Sequence, residues 1–353
     1  MNHVTATLTR GVTVSLTASA LLFGAATTAG ASPTATSTTS EQRATAADRL
    51  SARVATGWLG RQFVDGSHLM TDFGGTSYDD PGLTLDAVLA FAATKTNDVR
   101  ATKALTWLAQ DSNLLRYIGT GSDESYAGAH AKLVLALQVR GQNPGSYGGR
   151  DILGELRSLQ RADGRLSDRS KWGDYSNAFG QSFGVVALSR AGLPAANRAA
   201  GYLAGQACAD GGVPITFEQA TCTGDRDATA LAIQAFRATG RSAAAAKAAN
   251  WLRAAGAPAN TNSAGLTAAA LDLVGGAANV SAAASTRSYV RTLQQGCAVP
   301  FARRGAIAFD DSGFVAATAP RATTQAVLGL TPTNLATLTS AGSIAYAPTL
   351  ACS

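Results

Sequence analysis

The chain has 353 residues and carries 29 Lys and Arg against 23 Asp and Glu, which gives a formal net charge of +6 at pH 7. Only five of the basic residues are Lys, and no run of basic residues is interleaved with aromatic ones. This pattern argues against a nucleic-acid partner. A chain of this length can bury one large core, and 46% of its residues are hydrophobic. We therefore expect a single globular domain that does not bind nucleic acid.

The first 31 residues have the composition of a secretory signal. Their only Lys, Arg, Asp or Glu is Arg10, an uncharged segment follows from Gly11, and the segment ends in Ala29-Gly30-Ala31. An A-x-A sequence of this kind is typical of a signal-peptide cleavage site. An uncleaved membrane anchor is the alternative, although Thr, Ser and Gly dilute the apolar stretch. We expect residues 1–31 to be a signal peptide, residues 32–45 to be a flexible leader, and the mature protein to be secreted.

From residue 46 onward, the sequence repeats with a period of about 48 residues. Each copy has an apolar helix that ends in a bulky residue, usually shortly before a Gln, and then a second, Ala-rich helix. A lone helical hairpin cannot bury its own apolar face, so such repeats stack on their neighbours. The six predicted first helices end at Trp58-Leu59-Gly60-Arg61-Gln62, Trp107-Leu108-Ala109-Gln110, Leu156-Arg157-Ser158-Leu159-Gln160, Tyr202-Leu203-Ala204-Gly205-Gln206, Trp251-Leu252-Arg253 and Val290-Arg291-Thr292-Leu293-Gln294.

The predicted second helices are apolar over most of their circumference, which indicates burial on all sides. The first helices carry charge on one face, as in Asp98 to Trp107, and belong outside. Six outer helices around six inner ones predict an all-α fold, an α6/α6 toroid that extends from residue 46 to residue 353. Four inner helices are followed by a Gly, where a left-handed residue is expected: Gly141, Gly192, Gly240 and Gly275. The inner helices are predicted around residues 84–91, 131–137, 183–188, 229–236, 266–273 and 326–330.

Motifs in these repeats resemble those of a known superfamily. Gln206-Ala207-Cys208-Ala209-Asp210-Gly211-Gly212 and Gln160-Arg161-Ala162-Asp163-Gly164 resemble the QxxDGG turn of the prenyltransferase and squalene-cyclase repeat. Asp225-Arg226-Asp227-Ala228-Thr229-Ala230 resembles the DxDATA opening of its inner helix. The resemblance implies the toroid that is shared by protein prenyltransferase β-subunits, terpenoid cyclases, complement-type thioester domains and the helical domain of cobalamin carriers such as transcobalamin. A shared fold leaves the function open.

Two members of that superfamily need residues that this chain lacks. Protein prenyltransferases hold zinc with Asp, Cys and His on late repeats, whereas no His follows His130. Thioester domains need a CGEQ sequence, whereas the chain has Gln294-Gln295-Gly296-Cys297. Both activities are therefore disfavoured.

The four Cys residues all lie in the C-terminal half, and three pairings are open. We favour Cys208 with Cys222, which closes one loop within the fourth repeat, and Cys297 with Cys352, which ties the tail to the last repeat. A zinc site is the alternative use of four Cys, but no CxxC pair exists. We expect no metal.

Asp225 and Asp227 are the candidate catalytic residues. In class II terpenoid cyclases the similar motif is DxDDTA, and its middle acid protonates an alkene in a dry cavity. Asp227 takes that place here, whereas Ala228 replaces the supporting Asp. Asp227 could also contact a ligand, but we favour a third interpretation, in which it caps its helix and meets free N–H groups and the positive end of the helix dipole.

Counting back from the helix-ending Gly residues aligns six positions at the starts of the inner helices. If they form a ring at the cavity mouth, five of the six side chains could bind a ligand by hydrogen bonds. The alternative is that each side chain satisfies backbone groups at its own helix start, which explains Thr and Gln better than His130. The six positions are Thr84, His130, Gln181, Thr229, Gly265 and Thr323, and the ligand-binding candidates are all of these except Gly265, together with Asp227.

Secreted α6/α6 barrels also process polysaccharides with paired carboxylates. Several Asp residues lie in predicted loops, and Trp172 and Tyr175 flank one of them as a sugar platform would. Two of the Asp pairs have ordinary turn or N-cap sequences. The loop acids are Asp79, Asp80, Asp174, Asp225, Asp227, Asp310 and Asp311.

The interpretation that we favour from sequence is a secreted, non-catalytic protein that binds a small molecule, corrinoid-like or apolar, at the cavity mouth. No resident cofactor is expected, and cobalamin is the candidate ligand. The cobalamin carriers clamp their ligand with a small β-domain that this chain lacks, so a separate β-domain or a membrane transporter is the expected partner. The alternatives are a terpenoid-cyclase-like or lipid-processing enzyme that uses Asp227, and a polysaccharide-active enzyme.

Overall fold

The computed structural model describes residues 44–352, and twelve of the thirteen helices in this part of the chain form two concentric layers. The inner helices pack side by side, and the last of them packs against the first, so the ring is closed. The predicted all-α fold and α6/α6 toroid are confirmed. The outer helices are α1 (Ala46–Arg61), α3 (Asp98–Leu108), α6 (Ile152–Ser158), α8 (Ala195–Gly205), α10 (Ser242–Ala254) and α12 (Ala277–Thr292). The inner helices are α2 (Pro81–Thr94), α5 (Ala127–Val139), α7 (Ala178–Arg190), α9 (Arg226–Ala238), α11 (Thr261–Val274) and α13 (Ala319–Leu330).

Two small elements lie in the connecting segments and were not expected from the repeat. Helix α4 (Asp111–Ile118) lies between α3 and α5. Strands β1 (Met70–Phe73) and β2 (Thr76–Asp79) form an antiparallel hairpin before α2, in which Met70 pairs with Asp79 and Phe73 with Thr76. Both elements lie at the end of the toroid where the inner helices begin.

Helix α2 shows why these sequences form inner helices. Its start is fixed by Asp80, whose side chain accepts the N–H of Leu83, and by Pro81 in the first turn, where the missing N–H costs nothing. Its centre is buried, with Leu85 and Phe91 at most 1% exposed. Burial of each such side chain contributes roughly 1.5–3 kcal/mol. The helix therefore derives most of its stability from the packed interior.

The Gly residues that were predicted to end inner helices do so. Gly141, Gly192, Gly240 and Gly275 all have φ between 68° and 78°. This left-handed conformation costs little without a Cβ atom and turns the chain back toward the outer layer. The predicted repeat boundaries at these four positions are confirmed.

The ring is closed between the first and last repeats by buried polar contacts. The Arg287 guanidinium of α12 forms ion pairs with Asp272 of α11 and with Asp48 of α1, and all three residues are at most 3% exposed. Nearby, the side-chain amide of Gln294 donates to the Ser51 carbonyl at 2.9 Å. Charges buried in this way hold one geometry, because separating them would leave an uncompensated charge. They tie the two ends of the repeat array together.

The C-terminal strap, residues 331–352, crosses the end of the toroid where the inner helices finish. Its backbone at residue 335 accepts a hydrogen bond from Arg190, and Ser340 donates to the Val139 carbonyl. Further along, Ile344 donates to the Lys95 carbonyl. The strap therefore touches the ends of α7, α5 and α2 in turn and covers that end of the ring.

Both predicted disulfides are present. Cys208 is bonded to Cys222, and Cys297 is bonded to Cys352, which ties the end of the C-terminal strap to the segment after α12. The predicted signal peptide and most of the leader lie outside the described residues. Within residues 44–352, no helix is both long and apolar enough to cross a membrane.

Three of the bulky residues that mark the repeat lie on outer helices, and each packs against the loop of the preceding repeat. Trp58 donates its indole N–H to the Ala302 carbonyl at 2.9 Å, in the loop before α13. Trp107 stacks on His68, with ring centroids 4.4 Å apart. Trp251 donates to the Asp210 carboxylate at 3.0 Å. A Trp of the outer helix thus contacts the preceding loop at three places around the ring, through different interactions, and at Trp58 the contact joins the first repeat to the last.

We expect Trp58→Ala to lower the free energy of unfolding by about 3–5 kcal/mol, because a fully buried indole leaves a cavity. Trp58 is 2% exposed, whereas Trp172 is 70% exposed and provides the matched control. Trp172→Ala should change the free energy by less than about 0.5 kcal/mol. Urea unfolding of both variants measures the difference, and a loss below about 1 kcal/mol for Trp58→Ala would contradict this packing.

Candidate active site

A central cavity of about 500 Å³ opens at the end of the toroid where the inner helices begin. All six inner helices contribute to its walls, together with Tyr117 of α4. This volume is within the range of about 300–1,000 Å³ that is typical of small-molecule sites. Its polar lining side chains are Asp86, Tyr117, Lys132, Asn177, Asp227, Asn262, Arg321 and Gln325, and its larger apolar ones are Phe179, Phe183, Leu231 and Leu266.

Four members of the predicted ring of ligand-binding side chains are anchors for the loops. Each is at most 1% exposed, and each accepts the backbone N–H of a residue in the loop before its own helix. They face the loop and the outer layer, and the structure does not place them on the cavity wall. The pairs are Thr84 with Leu69 at 2.9 Å, Gln181 with Leu166 at 2.8 Å, Thr229 with Val213 at 2.8 Å, and Thr323 with Ile307 at 3.1 Å.

His130 and Gly265 lie at the same position in their helices as the four anchors, but they make different contacts. The His130 ring contacts the Tyr126 carbonyl through Nδ1 and the Glu155 carboxylate through Nε2, at 2.9 and 3.0 Å, and it has no exposed surface. A Cβ on Gly265 would lie 2.1 Å from the Gln325 carbonyl oxygen of α13, so only Gly allows α11 and α13 to approach this closely. The expected ligand contact of His130 is therefore replaced by a hydrogen bond to Glu155 of α6.

On five of the six inner helices, cavity-lining residues lie two positions before and after the aligned position, whereas on α11 they are Asn262 and Leu266. Two residues correspond to a rotation of roughly 200° around a helix, so these side chains point to the opposite side. On α9, for example, Asp227 and Leu231 flank the anchor Thr229, and on α13 Arg321 and Gln325 flank Thr323. The sequence therefore aligned the starts of the inner helices correctly, but it predicted the wrong face of these helices to line the cavity.

Asp225 and Asp227 have different roles at the start of α9. Asp225 is the N-cap residue and accepts the Ala228 N–H at 2.8 Å. Asp227 lies in the first turn and lines the cavity. Its Oδ1 atom is buried and has no hydrogen-bond partner among residues 44–352. The prediction that Asp227 caps the helix is wrong, because the helix begins two residues earlier than that prediction requires.

The environment of Asp227 favours the neutral carboxylic acid. Burial raises the pKa of its carboxyl group above the ordinary value, and the negative charge of Asp225 raises it further. A hydrogen bond from Ser263 and the charge of Arg226 oppose these effects without cancelling them. An un-ionised acid on an enclosed, partly apolar wall can donate a proton, which is the property required of a general acid.

The opposite wall of the cavity carries a second carboxylate that the sequence analysis missed. Asp86 of α2 pairs with Lys132 of α5 at 2.7 Å, and the Lys132 ammonium lies 5.4 Å from the centre of the Phe183 ring. Burial, together with the charges of Asp86 and Asp80, raises the pKa of Tyr117 beside them. Because α2 and α9 are three positions apart in a ring of six, Asp86 and Asp227 face each other across the cavity.

Other acids considered from sequence mostly support the loops. Asp79 pairs with His68 and Arg116 at 3.0 and 2.9 Å. Asp80 caps α2, Asp174 pairs with Arg165 at 3.1 Å, and the Asp310 side chain accepts the Ser312 N–H at 3.0 Å. Trp172 and Tyr175 are exposed on the loop before α7. Of the acids considered from sequence, only Asp227 lines the central cavity.

Comparison with solved structures identifies the fold. The chain is similar to a protein from Actinoplanes (16% identity, TM-score 0.56), with 80% of this chain and 98% of that one covered. It is similar to the type II terpene cyclase MstE from Scytonema (15% identity, TM-score 0.57, 80% and 98% covered) and to an unsaturated glucuronyl hydrolase specific for heparin (11% identity, TM-score 0.56, 80% and 95% covered). No family model matches the sequence, and no curated protein is significantly similar to it. The fold is the α/α toroid of terpenoid-cyclase type.

These comparisons overturn the prediction of a non-catalytic carrier. The neighbours whose names give an activity are a cyclase and a hydrolase, and both are enzymes. The predicted ring of ligand-binding side chains also turns away from the cavity. The carrier interpretation is therefore wrong. The corrinoid ligand and the separate β-domain or transporter partner were inferred from it and lose their basis.

We expect Thr229→Val to lower the free energy of unfolding by about 1–3 kcal/mol, because the buried Val213 N–H loses its acceptor. Thr229→Ser keeps the hydroxyl and loses one methyl group, which costs about 0.8 kcal/mol. Urea unfolding of both variants tests the anchor. If Val is tolerated as well as Ser, the hydroxyl does not hold the loop.

The raised pKa of Asp227 predicts how its replacement by Asn depends on pH. Below the ordinary value of 3.8, the acid is neutral in both the folded and the unfolded chain. As the pH rises through the folded-state pKa, ionisation becomes more favourable in the unfolded chain, so the wild type loses stability. We therefore expect Asp227→Asn to have a higher melting temperature than the wild type at pH 7, with the gap closing toward pH 3.5. A gap of opposite sign would show that the carboxylate is stabilised by folding.

Proposed function

We propose that this protein is a secreted enzyme of terpenoid-cyclase-like type that uses Asp227 to protonate a carbon–carbon double bond in a mostly apolar substrate. The observation that carries the proposal is the position of Asp227, whose buried Oδ1 atom has no hydrogen-bond partner within residues 44–352 and whose pKa is raised. The un-ionised acid would face a cavity with Phe179, Phe183 and Leu231 on its walls. The two disulfides support an extracellular location.

The proposed step is a simple proton transfer. The O–H bond of Asp227 breaks, a C–H bond forms at one alkene carbon, and the electron pair of the double bond becomes that C–H bond. The other carbon is left as a cation, and Asp227 is left as a carboxylate. A later loss of a proton from the substrate returns the acid to its starting state, so no metal or organic cofactor is needed. Removing water from the site strengthens the acid's influence on the developing charge.

Asp225 assists in a different way from the supporting Asp of the DxDDTA motif. That Asp is replaced here by Ala228. Asp225 instead caps α9, and its negative charge raises the pKa of Asp227 from two residues away. We propose that Asp225, through its negative charge, helps to hold the pKa of Asp227 above its ordinary value, as a positioning residue that does not contact the substrate.

A polysaccharide-active enzyme is the second candidate, and the polar half of the cavity favours it. Asp86 and Asp227 face each other across the cavity, and Asn177, Asn262 and Gln325 offer amides to sugar hydroxyls. Glycoside hydrolysis uses two carboxyl groups in different roles, and here Asp86 is paired with Lys132 while burial raises the pKa of Asp227. One experiment that offers the protein both classes of substrate distinguishes the two candidates.

The test incubates the mature protein with linear polyprenyl substrates and, separately, with unsaturated uronic-acid oligosaccharides, and detects products by mass spectrometry. We expect cyclised polyprenyl products, with turnover reduced at least 100-fold in Asp227→Asn because general acid catalysis contributes about 10²–10⁴. Asp225→Asn retains the cap, so it should fold normally. It should lose activity at a lower pH than the wild type, because the pKa of Asp227 falls when the neighbouring charge is removed.

If only the oligosaccharide is consumed, the terpenoid-cyclase-like candidate is wrong and the polysaccharide-active candidate is supported. Equal turnover by the wild type and Asp227→Asn on any substrate would remove Asp227 from the mechanism and refute the proposal.

A further inference from the structure

The fifth repeat lacks a segment that the other five repeats have. Between outer and inner helices the chain runs through residues 62–80, 109–126, 159–177, 206–225 and 293–318, but between α10 and α11 it has only residues 255–260. The sequence shows the same difference, since Trp251-Leu252-Arg253 is not followed by Gln and a DGG turn. Gly265 also stands where the other repeats have a side chain that anchors the loop or, in His130, pairs with α6.

Elsewhere the long segments cover the following outer helix. Gly211 packs against Lys247 of α10, Gly164 against Arg198 of α8, and Gly305 against Val54 of α1. Each contacted residue lies four positions before the bulky residue of its helix, respectively Trp251, Tyr202 and Trp58. On α12, where Val290 holds the bulky position, the equivalent residue is Thr286. In the described part of the chain, no long segment between an outer and an inner helix precedes α12 to cover it.

A groove of about 420 Å³ lies at this place. We name it the lateral groove: its floor is Thr267 and Leu271 of α11, and its walls are Leu252 of α10 and Ala282, Ser285 and Tyr289 of α12. It shares no lining residue with the central cavity, whose contacts on α11 are Asn262 and Leu266.

A polar atom on the floor of the lateral groove lacks a partner. Thr267 is 2% exposed, and its hydroxyl has no hydrogen-bond partner among residues 44–352. Buried hydroxyl groups are nearly always hydrogen-bonded in folded proteins, and a helical Thr can usually reach the carbonyl four residues earlier. The hydroxyl of Thr286, on the wall, does so by donating to the Ala282 carbonyl at 2.8 Å. Thr267 is left able both to donate and to accept.

We infer that the lateral groove is a second ligand site, which binds a small neutral molecule with an aliphatic body and one hydroxyl or carbonyl group. The aliphatic body lies between α10 and α12 and takes the place of the absent loop. The polar group bonds to the Thr267 hydroxyl. No acidic side chain lines the groove, and Arg253 is the one basic residue that does. A charged head group on the floor would lose its water without gaining an opposite charge, which selects a neutral ligand. This inference does not depend on the activity of the central cavity.

The test measures binding of 1-nonanol to the mature protein by isothermal titration calorimetry. Ser285 is exposed on the groove wall, so Ser285→Trp fills the groove without disturbing the core, and we expect it to weaken binding at least tenfold. Ala129 lines the central cavity, and Ala129→Trp is the matched control that should leave the dissociation constant within twofold. Thr267→Val keeps the shape of the side chain and removes the hydroxyl, and we expect about fivefold weaker binding through the lost hydrogen bond.

Thermal unfolding without ligand separates folding from binding. Thr267→Val should be at least as stable as the wild type, because it removes an unpaired buried hydroxyl. Three results would each overturn the inference: no heat of binding in the wild type, loss of binding in Ala129→Trp rather than Ser285→Trp, or equal affinity of the wild type and Thr267→Val. A chain that begins at Ala44 and binds the alcohol tenfold more tightly would also overturn it, since the leader would then be the occupant.

Discussion

One hydrogen bond, repeated at four of the six inner helices, sets the orientation of those four helices in the inner layer. A buried Thr or Gln near the helix start accepts the N–H of the incoming loop, as Thr229 does from Val213. The loop is thereby fixed to the helix, and the helix cannot rotate about its axis without leaving a buried N–H unpaired. Because rotation is fixed, the residues two positions away must face the central axis. The residues two positions away from each anchor therefore determine which chemical groups line the cavity.

The repeat register and the left-handed Gly residues were predictable from sequence because each depends on local patterns, and the favoured disulfide pairing followed from the repeat in which each Cys lies. Which face of an inner helix lines the cavity was not. An amphipathic helix reveals its buried face, but an inner helix is apolar all round, so its few polar residues carry the only information. Thr84 and Gln181 looked like ligand contacts because they are polar and aligned. They are aligned because all of them hold loops.

Only part of the candidate site was predictable from sequence, again because the sequence does not show which way each residue of an inner helix faces. Asp225 and Asp227 are two residues apart, and their roles depend on where α9 begins, the least certain feature of a helix in sequence. Asp86 gave a weaker signal, since a single acid within Leu85-Asp86-Ala87-Val88 is hidden by its apolar neighbours. Its distance of two residues from Thr84 is the signal that could have found it. His130 was misplaced because its partner, Glu155, lies on another repeat.

The C-terminal strap affects how a molecule can enter and leave the ring. It contacts the end where α7, α5 and α2 finish, whereas the central cavity opens at the other end, where the inner helices begin. A molecule that enters at the open end and is stopped by the strap has to leave by the same end. Departure of one molecule would then precede arrival of the next.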